Sequence, residues 1–367
     1  MTLLLLPNEL LLSITEVLQC DKDINALVQT NARLYHLLNT YMYRRNVRTS
    51  ESSALFWAAK HDKVTTCQKL LSEGANASAI TTCSGRQWTP LALAAEAGSG
   101  NVADLLLREN GVNPDLKDEC GHTPLSWAAG NGHTLVASIL LEEGKANCNT
   151  RDLNGRTPLS LAAENGHEDM VQYLLSHDTT HPQASDGNGW TPLSWAALNG
   201  HTKVVMILLA QPDVDADETS SSGRTALSWA AWNGHTEVVD LLLRIPQVNP
   251  DSKSKFGRTP LSWAAANGHY EVVRLLLSTG KVNPNSRDDY YRRIPLSWAA
   301  ENGHDKVVEV LLVHSGIVFD SHCIWGLTPL SYATAKNRWT TINLLAAAFT
   351  DESAYTQKSR NDCISRK

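Results

Sequence analysis

One tripeptide recurs along this chain at an almost fixed interval. Thr-Pro-Leu, or a near copy, begins at Thr89, Thr123, Thr157, Thr191, Thr225, Thr259, Ile294 and Thr328. Successive starts are 34 residues apart except for one step of 35. A weaker copy, Ser53-Ala54-Leu55, stands 36 residues before Thr89. A period of this length marks a repeat array, in which each unit buries its apolar face on its neighbours. Such an array escapes the limit that would otherwise split 367 residues into two or three compact domains. The spacing predicts about nine units over residues 50–350.

Each unit reads as helix, turn, helix, loop. In residues 121–152, Thr123 suits an N-cap and Pro124 the first helical position, which needs no backbone donor. Ala128-Ala129 keep the first helix thin, so neighbours can approach closely. Gly132 can stop it in a left-handed conformation. His133-Thr134 open the second helix, whose Val136, Ile139 and Leu140 follow i, i+3, i+4 spacing, and Gly144 ends it. The polar, turn-rich remainder predicts a projecting hairpin-like loop.

Thr-Pro-Leu-x-x-Ala-Ala-x-x-Gly-His at this period resembles the ankyrin repeat signature over roughly 300 residues. The local form Leu-Ser-Trp-Ala-Ala, at Trp127, Trp195, Trp229, Trp263 and Trp298, looks like the long ankyrin arrays of filamentous fungi. The resemblance implies an all-α fold: an ankyrin-repeat solenoid of helix-turn-helix units with hairpin-like loops. It also implies a protein-binding role, with targets contacting the loop tips and the inner face of the first helices.

The same register speaks against catalysis. His133, His167, His201, His235, His269 and His304 recur once per unit. Helix layers pack about 8–10 Å apart, whereas zinc–nitrogen bonds are about 2.0–2.1 Å. Equivalent histidines of adjacent layers therefore cannot share an ion, and their place at a turn points to structural hydrogen bonding. The five tryptophans suggest inter-repeat packing, with a ligand-stacking ladder as the alternative. Asn131, Asn165, Asn199, Asn233, Asn267 and Asn302 are the same in six successive units, which suits backbone capping. No nucleophile-elbow, HExxH, P-loop or dinucleotide fingerprint occurs. No catalytic residue, metal site or cofactor is expected, and the chain reads as not an enzyme.

Composition narrows the partners. Hydrophobic residues make up 42% and charged residues 19%, which suits an ordered chain. The net charge of −6 argues against general nucleic-acid or anionic-membrane binding, since both need a basic face. Seven cysteines without a CxxC pair argue against a disulfide framework or zinc module and for a reducing compartment. The apolar start is cut short by Pro7 and Glu9 and lacks a basic lead, so no signal peptide is read. No apolar run approaches the roughly 18 residues of a membrane span. The expected location is intracellular, in cytoplasm or nucleus.

Residues 1–49 lack the repeat. Leu10, Ile14 and Leu18 make one apolar helical stripe. Asp23 can cap a short helix carrying Ile24, Leu27 and Val28, and a third carries Leu34, Leu37 and Leu38, followed by Tyr41 and Tyr43. Three such helices bury little surface, so the unit should lean on the first repeat, on a partner, or on both. Leu-Pro-x-Glu-Leu-Leu-x-x-Ile, then Asp-Ile-x-x-Leu, then Asn-x-x-Leu-Tyr, resembles an F-box. The family often has a tryptophan late in the motif, where this chain has only Tyr41 and Tyr43. The resemblance implies docking on the adaptor Skp1 of a cullin-RING ubiquitin ligase, with Leu6, Pro7, Leu10, Ile14 and Leu18 in or beside the contact.

The expected domains are an F-box-like unit (1–49), the repeat array (50–350) and a polar, disordered tail (351–367). A target surface is sought where the units differ from one another. Units five to eight gather Trp190, Trp232, Lys255, Phe256, Arg258, Tyr290, Tyr291 and Arg293, the aromatic and arginine types that anchor interfaces. The alternative is that these positions simply drift. Two functions follow: a substrate receptor of an SCF-type ubiquitin ligase, or a binding scaffold whose N-terminal helices only cap the array.

Overall fold

A computed structural model describes residues 7–17, 29–49, 53–83 and 85–349. The chain divides into two compact units, Met1–Leu153 and Asn154–Lys367. The first holds α1 (Asn8–Val17), α2 (Ala32–Thr49) and three helix pairs. These are α3 (Ser53–Lys60) with α4 (Val64–Ser72), α5 (Pro90–Ala97) with α6 (Gly100–Leu107), and α7 (Pro124–Gly130) with α8 (Thr134–Glu142). The second holds α9 (Pro158–Glu164) with α10 (Glu168–Leu175), α11 (Pro192–Asn199) with α12 (Thr202–Leu209), and α13 (Ala226–Asn233) with α14 (Thr236–Leu243). It continues with α15 (Pro260–Asn267) and α16 (Tyr270–Ser278), α17 (Pro295–Asn302) and α18 (Asp305–Val313), then α19 (Pro329–Ala335) and a last helix over 339–349.

The recurring residues do what their positions require. Thr123 accepts a hydrogen bond from the Ser126 amide at 3.3 Å and Pro124 follows it; the same cap recurs at Thr157, Thr191 and Thr259. In α13, Thr225 keeps the cap although Ala226 replaces the proline. Ala128-Ala129 and their counterparts are fully buried, so within each unit the first helices pack side by side and the second helices form a row behind them. Val204, Val205 and Leu208 of α12 are fully buried, as are their equivalents. Burying one leucine contributes about 1.5–3 kcal/mol, so each unit depends on having neighbours.

Seven turns between paired helices carry a left-handed glycine, such as Gly98 at φ 76° and Gly132 at φ 74°, while Asp62 and Asn337 take that conformation in the first and last pairs. The loops are closed by one further pattern: from Leu153 onward, the amide of a tip donates to a carbonyl of the previous tip. Leu153 donates to Cys120 at 2.9 Å, Ser221 to Asn188 at 2.8 Å, Lys255 to Ser222 at 2.9 Å, Asp289 to Phe256 at 2.9 Å and Ile324 to Tyr291 at 3.0 Å. The all-α expectation has one exception. Thr81–Cys83 and Arg86–Trp88 form an antiparallel pair, with Thr81 opposite Trp88, where β-branched and aromatic residues flank Gly85.

At the N-terminal end, α1 packs on α2 through Leu11, Leu34 and Leu38, with Leu12, Leu37, Tyr41 and Met42 around them. The third predicted helix is longer than its apolar stripe suggested: α2 runs 18 residues, through both tyrosines. Its far end meets the first repeat. The Asn46 side chain accepts from the Ala54 amide at 3.1 Å and so caps α3, and Arg44 Nε donates to Glu73 Oε2 at 2.5 Å. The second predicted helix, the tail over 351–367, Leu6 and Leu18 lie outside the described residues.

Candidate binding surfaces

The histidines that follow turn glycines join successive units. His133 Nε2 donates to the Glu96 carbonyl at 3.1 Å, His201 to Glu164 at 3.0 Å, His235 to Leu198 at 2.8 Å, His269 to Trp232 at 2.9 Å and His304 to Ala266 at 3.0 Å. In the last pair Arg338 replaces the histidine and reaches the Glu301 carbonyl with Nε at 3.3 Å. The asparagines cap backbone as expected: Asn267 Nδ2 donates to the Trp263 carbonyl at 3.1 Å and Asn302 Nδ2 to Ala266 at 2.8 Å. These residues are occupied by the array itself.

Within Asn154–Lys367, Trp190, Trp195, Trp229, Trp263 and Trp298 build a continuous stack. Trp195 lies against Trp190 at 4.5 Å and Trp190 against Trp229 at 4.0 Å between ring centroids. Beyond Trp229 each step inserts a guanidinium. Arg224 covers Trp229 at 4.3 Å and Trp263 at 3.7 Å; Arg258 covers Trp263 at 3.6 Å and Trp298 at 4.2 Å; Arg293 covers Trp298 at 3.7 Å and Tyr332 at 3.9 Å. Planar guanidinium groups suit this place because they stack on both faces and are weakly hydrated. Burial lowers the pKa of Arg224 and of Arg258 to about 10, which leaves both charged at neutral pH. Trp229 is 6% exposed and Trp263 8%, so the packing reading of the tryptophans holds here over the ligand ladder.

The eight residues singled out from sequence therefore separate. Trp190, Arg258 and Arg293 belong to the stack, and Arg293 is 5% exposed, with its guanidinium donating to Glu301 Oε2 at 2.5 Å. Trp232 is 36% exposed and borders the stack, 5.5 Å from Trp229. Lys255, Phe256, Tyr290 and Tyr291 gather at the loop tips. Phe256 lies 6.0 Å from Tyr290, Tyr290 5.4 Å from Tyr291, and Tyr291 5.0 Å from Trp325. Phe256 is 52% exposed, Tyr290 65% and Trp325 60%. Trp325 extends this row into the last unit, beyond the window that sequence comparison of the units picked out. The lone 35-residue step falls here: the loop from Asp288 to Arg293 carries one residue more, and Arg292 takes the positive φ of 58° that glycine supplies elsewhere.

A second concavity was not anticipated. In Met1–Leu153 a groove of about 500 Å³ is lined by Phe56, Trp57, Lys60, His61, Thr81, Arg86, Trp88, Leu93 and Glu96. Trp57 is 51% exposed and stacks on His61 at 4.8 Å. The short β-ladder aims Arg86 and Trp88 at its wall. Its signal in the sequence was slight: Phe56-Trp57 and Trp88 stand in different repeats, and only packing brings them to one groove. On α1, Pro7 and Leu10 are exposed, Leu10 by 51%, and Ile14 is half-buried.

Tandem helix pairs, glycine-histidine turns and linked loop tips define a repeat scaffold that presents protein-binding surfaces. The family model described as ankyrin repeats (3 copies) matches residues 24–118, 104–186, 179–253 and 242–323, and the chain belongs to the ankyrin repeat family. The first match begins inside the stretch assigned to the N-terminal unit. No curated protein matches the chain. Ankyrin repeats are typically non-enzymatic scaffolds for protein–protein interaction. Among the described residues, no helix is long and apolar enough to cross a membrane.

Proposed function

We propose that the chain is a substrate receptor of an SCF-type ubiquitin ligase. Its N-terminal helices dock on a Skp1-like adaptor, which brings the cullin, while the repeats hold a protein target. Such a receptor would work in the cytoplasm or nucleus. The observation that carries the reading is the amphipathic division of α1: Leu11 is buried against Leu34 and Leu38, while Pro7 and the apolar Leu10 face outward. On the array, Trp232 and the row Lys255, Phe256, Tyr290, Tyr291 form the target surface, backed by Arg258 and Arg293 in the stack. Exposed aromatics on a rigid backing are the usual interface anchors.

The test is affinity purification of the wild-type chain beside a Pro7→Ala/Leu10→Ala variant, with partners identified by mass spectrometry. Skp1 and cullin should disappear from the variant while the target remains; absence of both from the wild type refutes the ligase role. Replacing Trp232 and Tyr291 together should instead weaken the target alone. The contacts Arg44–Glu73 and Asn46–Ala54 favour a second reading, in which the N-terminal helices only cap the array. That reading expects deletion of residues 1–45 to lower the melting temperature while every partner is retained.

A further inference from the structure

One loop of Met1–Leu153 differs from its equivalents in chemistry. Asp118, Cys120 and His122 place one carboxylate oxygen, one thiol sulfur and one imidazole nitrogen within 4.8 Å of one another. Among the described residues, no other group of three such side chains converges this way. The loop is fixed by its backbone. Asp118 Oδ1 accepts from the amides of Cys120 at 2.9 Å and His122 at 2.8 Å, and the Cys120 carbonyl is held by the Leu153 amide.

That arrangement leaves two atoms with nothing to bond. Asp118 Oδ2 and His122 Nδ1 are buried, lack a hydrogen-bond partner, and face each other at 3.6 Å. The Asp118 side chain is 4% exposed. On the other side of the ring, His122 Nε2 lies 3.4 Å from Asp152 Oδ2. A proton on Nε2 directed at Asp152 leaves the Nδ1 lone pair aimed at the Asp118 lone pairs. Two buried acceptors in that relation repel unless a positive charge lies between them. In equivalent loops the conflict does not arise. At the His122 position stand Trp190, Arg224, Arg258 and Arg293, and Asp288 Oδ2 accepts from Trp298 Nε1 at 3.1 Å.

We propose that Asp118 Oδ2, Cys120 Sγ and His122 Nδ1 bind a borderline-soft divalent cation of the zinc type. Nitrogen, sulfur and carboxylate oxygen are its preferred donors, and a site with three protein ligands completes its shell with water. The 3.6 Å between Oδ2 and Nδ1 is slightly wider than the roughly 3.3–3.4 Å between two ligands at about 2.0–2.1 Å on a tetrahedral ion, so binding draws the two side chains together by a few tenths of an ångström. Asp152 is the outer carboxylate that commonly orients a ligating histidine. The Trp127 ring, 4.9 Å from the imidazole, backs it with apolar surface. Binding transfers the Cys120 thiol proton to solvent, so that thiolate, carboxylate and neutral imidazole balance the dication.

The full-length chain, stripped with chelator and dialysed, is titrated with Co²⁺ as a spectroscopic probe and then with Zn²⁺. One equivalent of Co²⁺ should produce a thiolate-to-cobalt charge-transfer band, and Zn²⁺ should abolish it. The band should be missing in Cys120→Ser. Asp152→Asn, which touches no ligand atom, should weaken Zn²⁺ about tenfold. Near-UV circular dichroism checks that each variant is folded. His122→Gln should lose the band as well; if it fails that check, Asp118→Asn, which keeps the Oδ1 turn, replaces it and should give the same loss. Absence of the band in the wild type, or a band undiminished in Cys120→Ser, overturns the proposal. The first result would mean that the charge between the two acceptors is only a proton.

Discussion

At the scale of single residues, the array depends on pairs that meet across successive repeats. A Cβ added to Gly98 would lie 2.7 Å from His133 Nδ1, and the backbone there is left-handed at φ 76°. Gly98→Ala thus meets both a steric and a conformational obstacle. We expect it to lower unfolding free energy by about 1–3 kcal/mol in urea denaturation. Arg258 is the clearest case of a residue whose type was legible and whose role was not. Its sequence position marked it as an interface anchor, yet it lies between Trp263 and Trp298. Lysine carries the same charge without a plane, so Arg258→Lys should still destabilise by about 1–2 kcal/mol, read by the same denaturation. The sequence lists these side chains singly; only the close approach of successive repeats interleaves them.

At the scale of elements, most of what forms a helix pair is local, and that is why it could be read. Threonine before proline, the alanine pair and the turn glycine act within one turn of the backbone. Thr259→Val keeps shape and removes the oxygen that accepts from the Ser262 amide at 3.3 Å. It should lower thermal stability by about 1 kcal/mol, and Thr225→Val should match it because Ser228 is capped identically. Ile294 shows the exception, with a helix start that has proline but no side-chain cap. The β-ladder at Thr81–Cys83 and Arg86–Trp88 was missed for a physical reason. Three residues per strand give too little alternation to distinguish a ladder from a turn-rich loop. Likewise, α2 continues past its apolar stripe because its later turns pack on the first repeat through Asn46 and Arg44.

At the scale of the molecule, stability gathers from many equivalent contacts, and pH sensitivity follows the same rule. The pKa of His269 is lowered, mainly by burial and further by the neighbouring His304 and His235, against the raising effect of its bond to the Trp232 carbonyl. The unfolded chain therefore takes up a proton at this site before the folded chain does. The stability tied to neutral His269 is whole above a pH of about 6.5 and is lost as the pH falls from there through the lower folded value. Denaturation between neutral and mildly acid pH should show this decline, and His269→Gln should make the decline shallower. The family and the register of about nine helix pairs were visible in the period alone. The groove near Trp57 was not, because first helices of different repeats and the β-ladder bring its lining together, and neither was the extension of the tip row to Trp325, which depends on the next loop lying beside Tyr291. The alternating stack also has an optical consequence. Indole rings held face to face, as Trp190 and Trp229 are, couple electronically, and rings covered by guanidinium are shielded from water. The near-ultraviolet dichroism of this chain should therefore carry a strong signal from a single structural feature. Its fading would register the first slip between neighbouring repeats, while the helices themselves remained intact.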